Sequence, residues 1–249
     1  GGIPLVVLAE TEEQKMAILD NLFKETYISD IVKRNKIRNV GEMEALLDIL
    51  SSAIGALTNP NKLQKTFKSV NRSKITATTI TKYIEYLEDA FLIEEAVRYD
   101  IKGKSYIGTP LKYYFMDMGL RNARINYRQI EITHSMENVI YNELRMRGFS
   151  VDVGNLTIVE NGKDGKAVKK QLEVDFICNK GSKKYYIQSA YQLGTEEKLA
   201  QEIRPFLKIN DSFKKIVITS DTPKPCYTDE GILMMNVYDF LLNPELIDL

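Results

Sequence analysis

The sequence predicts a mixed α and β fold in two parts, a helical part followed by an α/β part, and three observations carry that reading. Apolar residues recur at helical spacing through roughly the first ninety residues. The pattern turns to strands at Leu92. From His134 onward a helix pattern is followed by two strand-like pieces, 171–178 and 184–192, with Glu173 and Asp175 set inside otherwise apolar surroundings.

A chain of 249 residues holds one large domain or two modest ones. Its 44% hydrophobic and 27% charged content is that of an ordinary globular protein. Thirty-four basic residues balance 34 acidic ones, so net charge neither argues for a nucleic-acid partner nor excludes one. Cys178 and Cys226 lie far apart in unlike contexts, which fits a reducing compartment better than a disulfide scaffold. No signal peptide or apolar run of membrane length is evident, so the expectation is a cytoplasmic location with no membrane partner. Gly1-Gly2-Ile3-Pro4 lacks an initiator methionine and reads as a linker or turn cut from something longer.

Residues 12–38 carry a helical pattern through Ile18, Leu22, Phe23, Ile28 and Ile31, with Lys33, Arg34, Lys36 and Arg38 gathered at its end. A second helix spans 42–55, with Leu46, Leu47, Ile49, Leu50 and Ile54 as its buried set. Asn59-Pro60 opens a short third one, since asparagine before proline is a good helix entry. Residues 69–74 read as a polar loop. The clearest helix is 76–92, capped by Thr76 or Thr78 and apolar along Ile80, Tyr83, Ile84, Leu87 and Phe91. Strands at 92–99 and 111–116 follow, around the turn material Lys102-Gly103-Lys104. Helices followed by a hairpin give the order of a winged helix.

Charge supports that reading. Between residues 59 and 84 the basic residues are Lys62, Lys65, Lys68, Arg72, Lys74 and Lys82, and acidic residues are absent. Arg98, Lys102 and Lys104 add to the hairpin. These nine suit phosphate contacts, which hold a protein on DNA without reading sequence. Asn71, Ser73 and Thr79 could reach bases, though nothing in the sequence singles them out. Gly103-Lys104-Ser105 resembles the end of a phosphate-binding loop, but Arg98 stands where that motif needs glycine.

Residues 117–131 read as a short helix and linker. In the second part, a helix buries Met136, Val139, Ile140 and Leu144 and stops at Gly148. Strands follow at 149–159, 172–178, 184–192, 216–219 and 232–235, with a turn at 161–166, a helix at 196–207 and a closing helical turn at 237–242. Glu173 and Asp175 are two apart on one strand. Tyr186, Gln188 and Ala190 share a face of the next. If the strands are neighbours, Glu137, Asp175 and Gln188 converge as oxygen ligands for a hard cation such as Mg2+, able to hold an attacking water against a phosphodiester. The alternative is that the two strand carboxylates cap an edge or form salt bridges.

Several stretches together resemble the C-terminal region of the bacterial and archaeal family of predicted AAA+-type ATPases that carry the domain of unknown function DUF4143. They include Gly1-Gly2-Ile3-Pro4, Asn59-Pro60-Asn61-Lys62-Leu63, Tyr86-Leu87-Glu88-Asp89-Ala90-Phe91, Tyr114-Phe115-Met116-Asp117-Met118-Gly119-Leu120-Arg121, Glu137-Asn138 and Glu173-Val174-Asp175-Phe176. The resemblance implies an upstream ATPase module that holds ATP and Mg2+, with residues 1–22 as its linker or helical tail. It implies a winged-helix domain at 23–130 and a restriction-endonuclease-like PD-(D/E)xK domain at 131–249. Carried over, the helix acid falls on Glu137 and the strand aspartate on Asp175. The motif's second carboxylate becomes Gln188 and its lysine becomes Ala190. Without that ammonium, water activation and charge stabilisation at phosphate are weakened. The expected function is therefore a non-catalytic recognition or regulatory region that binds DNA or a protein partner and has no cofactor of its own. The alternatives are a metal-dependent nuclease, with Mg2+ on Glu137, Asp175 and Gln188, and a purely structural or oligomerising module.

Overall fold

The computed structural model describes residues 1–71, 73–128, 131–161 and 166–249, the side chain of Asn71 aside. Arg72, most of the turn expected at 161–166, and residues 129–130 beside the expected domain boundary therefore lie outside the described residues. Mixed α and β structure is observed, in two compact units. Unit 1 is Gly1–Glu95 with Pro110–Glu131, and unit 2 is Ala96–Thr109 with Ile132–Leu249.

Unit 1 begins with α1 (Pro4–Val7) and α2 (Glu12–Asn21), the latter opened by a capping box between Thr11 and Gln14. The single helix expected over 12–38 is instead three pieces. A π-helical stretch, Leu22–Ile28, separates α2 from α3 (Ser29–Arg34), and α3 ends before Lys36 and Arg38. The wider turn lets Leu19, Phe23, Ile28 and Ile31 all reach the interior. α4 (Val40–Ser52) buries Met43, Leu46, Leu47 and Leu50. α5 (Pro60–Thr66) starts where asparagine before proline predicts: the Asn59 side chain accepts from the Lys62 amide. The polar loop expected at 69–74 is corrected in part, because a π-helical turn, Phe67–Asn71, prolongs α5 and buries Phe67.

α6 (Ala77–Asp89) takes Thr76 as its cap, not Thr78, and buries Ile80, Tyr83, Ile84 and Leu87. The helix stops in a left-handed turn at Phe91, φ 55°, where the Leu92 amide reaches back to the Leu87 carbonyl at 3.0 Å. The exposed Phe91 is thus outside the buried set expected of it. β1 (Ile93–Asp100) and β2 (Ser105–Phe115) follow, β2 starting well before the strand expected at 111–116. An isolated antiparallel bridge joins Thr58 to Leu111. α7 (Met118–Arg124) is capped by Asp117, whose carboxylate accepts from the Leu120 amide at 2.9 Å and from Gly2 at 2.6 Å. The first 22 residues, expected as a linker or tail, belong to unit 1 and bury Val6 and Leu19 in it.

Unit 2 contains α8 (Ile132–Met146), β3 (Ser150–Asn161), β4 (Ala167–Lys180), β5 (Lys183–Ala190), α9 (Glu196–Ile203), β6 (Lys214–Thr219), β7 (Cys226–Tyr227), β8 (Leu233–Asn236) and α10 (Val237–Leu242). Gly148, at φ 81°, supplies the left-handed residue that ends α8. The sheet runs β2-β1-β3-β4-β5-β6-β8-β7. The β1–β3, β5–β6 and β6–β8 pairs are parallel, and β3–β4, β4–β5 and β7–β8 are antiparallel. On one face α8 meets β4 through Tyr141 and Phe176. On the other, Ile203 of α9 joins Val174, Ile177, Tyr186, Ala190 and Val217 in a core cluster.

One irregularity positions the site. Asp152 pairs with Ile177 and Gly154 with Val174, so Val153 stands opposite two residues, Asp175 and Phe176. Such a bulge resets the alternation of side chains along β4 and re-aims Asp175. Gly154 sits at its edge, where an added Cβ would lie 2.8 Å from the Val174 Cβ and 3.2 Å from both Ile101 and Ile177. Gly154→Ala is expected to destabilise unit 2 by about 1–2 kcal/mol through overpacking. A lower urea midpoint at unchanged slope would show it.

Candidate functional site

Asp175 and Gln188 meet where two strands part. The β4–β5 ladder ends at the pair Phe176–Ile187. One step further, side chains replace the backbone partners: the Asp175 amide donates to Gln188 Oε1 at 3.4 Å, and the Ser189 amide donates to Asp175 Oδ2 at 2.8 Å. Each side chain thus serves a backbone amide of the opposite strand. This clasp satisfies buried donors that would otherwise carry a desolvation cost.

Gln188 continues outward. Its Nε2 donates to Glu202 Oε2 on α9 at 3.3 Å. Burial raises the Glu202 pKa, opposed by that hydrogen bond and by the charge of Lys198. Glu202 was not among the sequence candidates. The signal available was the i, i+4 spacing of Lys198 and Glu202 on the helix that follows β5.

Glu137 is buried on α8, a helix packed against β3, β4 and β5. Asp175 is also buried. Ser189 is equally enclosed, and its hydroxyl has no hydrogen-bond partner among the described residues. Ala190, the position where the resemblance expects lysine, is 3% exposed inside the apolar cluster of Tyr186, Val217, Ile203 and Phe206. A lysine there would have to carry its charge into that core. Among the described residues no group of three or more His, Cys, Asp or Glu is placed to hold a metal ion.

The basic candidates divide. Lys62, Lys65, Lys68, Lys74 and Lys82 are exposed on α5, α6 and the segment between them. Lys62 also holds the Leu57 carbonyl at 3.0 Å. Lys102 and Lys104 are exposed on the hairpin segment of unit 2. Arg98 is a correction: it is 6% exposed and its guanidinium donates to Asn155 Oδ1 at 2.6 Å, because β1 pairs with β3 at that point. It is a strand-to-strand tie and cannot reach phosphate. Two expected base contacts are also engaged locally. The Ser73 hydroxyl donates to Glu42 and accepts from the Ile75 amide, and the Thr79 hydroxyl lies 2.9 Å from that of the cap Thr76. Thr78 and Thr81 are the exposed threonines of α6.

Fold and site together define a protein of mixed α and β structure, with, among the described residues, an eight-stranded sheet, a lysine-bearing helical unit and a clasp of Asp175 and Gln188 on backbone amides. The chain belongs to the family of the domain of unknown function DUF8612, whose model matches residues 1–131. This corrects the resemblance to the DUF4143 region of AAA+-type ATPases: the matching family is a different one. An uncharacterised protein of Haemophilus influenzae is 35% identical over 242 residues, covering 97% of this chain and 56% of that protein. The uncharacterised protein MJ1544 of Methanocaldococcus jannaschii is 30% identical over 245 residues, covering 96% of this chain and 50% of that protein. Neither description names an ATPase. The chain therefore spans about half the length of the curated relatives it matches. The crystal structure of protein VC1899 from Vibrio cholerae matches over 90% of this chain and 53% of its own, at 12% identity and a TM-score of 0.27, too low to define a shared fold. Among the described residues no helix is long and apolar enough to cross a membrane.

Proposed function

We propose that this chain is a non-catalytic recognition module whose unit 1 binds duplex DNA as a winged helix. The observation that carries the reading is the exposure of Lys62, Lys65, Lys68, Lys74 and Lys82 along a segment free of acidic residues. The order of elements supports it: α4, the Thr58 bridge to Leu111, α5, α6 and then β1 and β2 follow the sequence of parts in a winged helix, with the hairpin tip, Ala96–Thr109, belonging to unit 2. Thr78, Thr81 and Lys82 then form the face of α6 turned to a groove, with the other lysines on phosphates.

The helix bearing Glu137 and the strands bearing Asp175 and Gln188 support reading unit 2 as a PD-(D/E)xK-like domain. The buried Ala190 and the use of Asp175 as an acceptor for a backbone amide weigh against hydrolysis. Its role in this reading is support and recognition, without Mg2+.

Fluorescence anisotropy with a short labelled duplex tests the proposal. The double variant Lys74→Glu/Lys82→Glu is expected to bind about tenfold or more weakly, with a salt slope shallower by about 2 between roughly 50 and 200 mM salt. Unchanged affinity in a folded double variant would remove the DNA reading. It would shift attention to a protein partner at the apolar groove of ≈ 530 Å³ in unit 1, lined by Ile49, Ala53, Leu57, Leu63 and Val70 among others.

A further inference from the structure

Lys184, on β5, places its ammonium among three aromatic rings drawn from three segments of unit 2. The Nζ lies 5.0 Å from the Tyr186 ring centroid, 5.2 Å from Phe213 and 5.9 Å from Tyr99. All three are within the roughly 6 Å at which a ring face attracts a cation. No carboxylate comes within ion-pair distance of this ammonium among the described residues, and its N–H groups find no acceptor there.

The rings are held by other bonds. Asp211 accepts from the Tyr186 hydroxyl at 2.6 Å through one oxygen and from the Phe213 backbone amide at 3.2 Å through the other, so one carboxylate fixes the Tyr186 ring and anchors the backbone that carries Phe213. Tyr106 packs edge-on against Tyr99, centroids 5.3 Å apart at 73°. Two of the three walls, Tyr99 and Tyr186, are therefore held by contacts other than the occupant. Burial and the bond to Asp211 raise the Tyr186 pKa, which keeps that ring neutral.

A primary ammonium is a poor match for such a cage. Lys184 is half-buried and its N–H donors gain no acceptor from the rings, whereas a quaternary ammonium has no donor to satisfy and packs methyl groups against them. We propose that Tyr99, Tyr186 and Phe213 form a binding site for a quaternary ammonium group, with Lys184 as a displaceable resident that keeps the site closed.

Tetramethylammonium chloride is the probe. In the Lys184→Ser variant its methyl resonance should move upfield in a saturable way in the millimolar range, and wild type should bind at least about tenfold more weakly because Lys184 competes. Adding Phe213→Ala to Lys184→Ser should abolish the shift. A folded Lys184→Ser variant with no saturable shift, or one whose binding survives Phe213→Ala, overturns the proposal. Should Lys184→Ser fail to fold, the wild-type protein still decides. The Lys184 ε-methylene protons should resonate upfield of free lysine and move toward the free value as the probe is added; if they stay fixed throughout, there is no displaceable site.

Discussion

Arg121→Ala is expected to destabilise unit 1 by about 2–4 kcal/mol, the cost of emptying the volume of a long buried side chain and leaving its acceptors without their donor. Arg121 is 1% exposed and is one of the largest fully buried side chains among the described residues. Its Nε donates to the Ser51 carbonyl at the end of α4 at 2.8 Å, and its Nη1 donates to Asn122 Oδ1 at 3.1 Å. Burial lowers its pKa, with the charge of Glu131 acting the other way. Truncation removes the charge, empties the volume of a long side chain and strips the Ser51 carbonyl of that donor. Arg121→Met separates these effects, because it refills much of the space and restores no hydrogen bond. Chemical denaturation should place it between wild type and the alanine variant; equal loss in both would assign the whole effect to the hydrogen bonds.

Glu88→Gln should stabilise the protein by about 2–3 kcal/mol at pH 8 and by little at pH 4. Burial is the first cause of the raised Glu88 pKa, about 7, with the charges of Glu95, Glu94 and Asp89 adding to it and a hydrogen bond from the Glu95 amide opposing. Tyr113 faces the same group, and its own pKa is raised, mostly by burial, then by Glu95 and Glu88. A carboxyl with a folded-state pKa above its unfolded one holds its proton more tightly when folded. Stability therefore falls as pH rises from about 4.5 to about 7, and the penalty is constant above that. The full shift corresponds to somewhat more than the stated range, reduced because the group is only half-buried. Glutamine keeps the acceptor for the Glu95 amide and removes the titration. Urea midpoints at pH 5, 6, 7 and 8 check this. A wild-type profile that stays parallel to that of Glu88→Gln would sink it.

Local chemistry was legible in the sequence, and long-range pairing was not. Asn59 and Gly148 declare their roles within a few residues, so both helix boundaries were readable. Thr76 and Thr78 are equally good caps by composition, and only the approach of the chain decides between them. The π-helical stretch at Leu22–Ile28 changes which residues face inward without altering composition. Arg98 looks like a solvated hairpin charge until β1 is paired with β3, whose contact residue Asn155 is 57 positions away. Glu137, Asp175 and Gln188 could be named from their setting. The bulge opposite Val153, which turns Asp175 and Gln188 into partners of backbone amides, depends on the register of a neighbouring strand and leaves no mark on their own spacing.

The boundary of the family match at residue 131 is not a safe place to divide the molecule. Within Ala96–Thr109 the chain contributes Arg98, Tyr99 and Asp100 to a parallel ladder with Val153, Gly154 and Asn155. A fragment that stops at Glu131 would keep that hairpin but strip it of its neighbour, leaving unpaired amides and carbonyls beside Tyr99 and the Arg98 guanidinium, a template for sticking to other copies. Dissection into autonomous pieces would have to excise the hairpin tip and bridge Glu95 to Pro110.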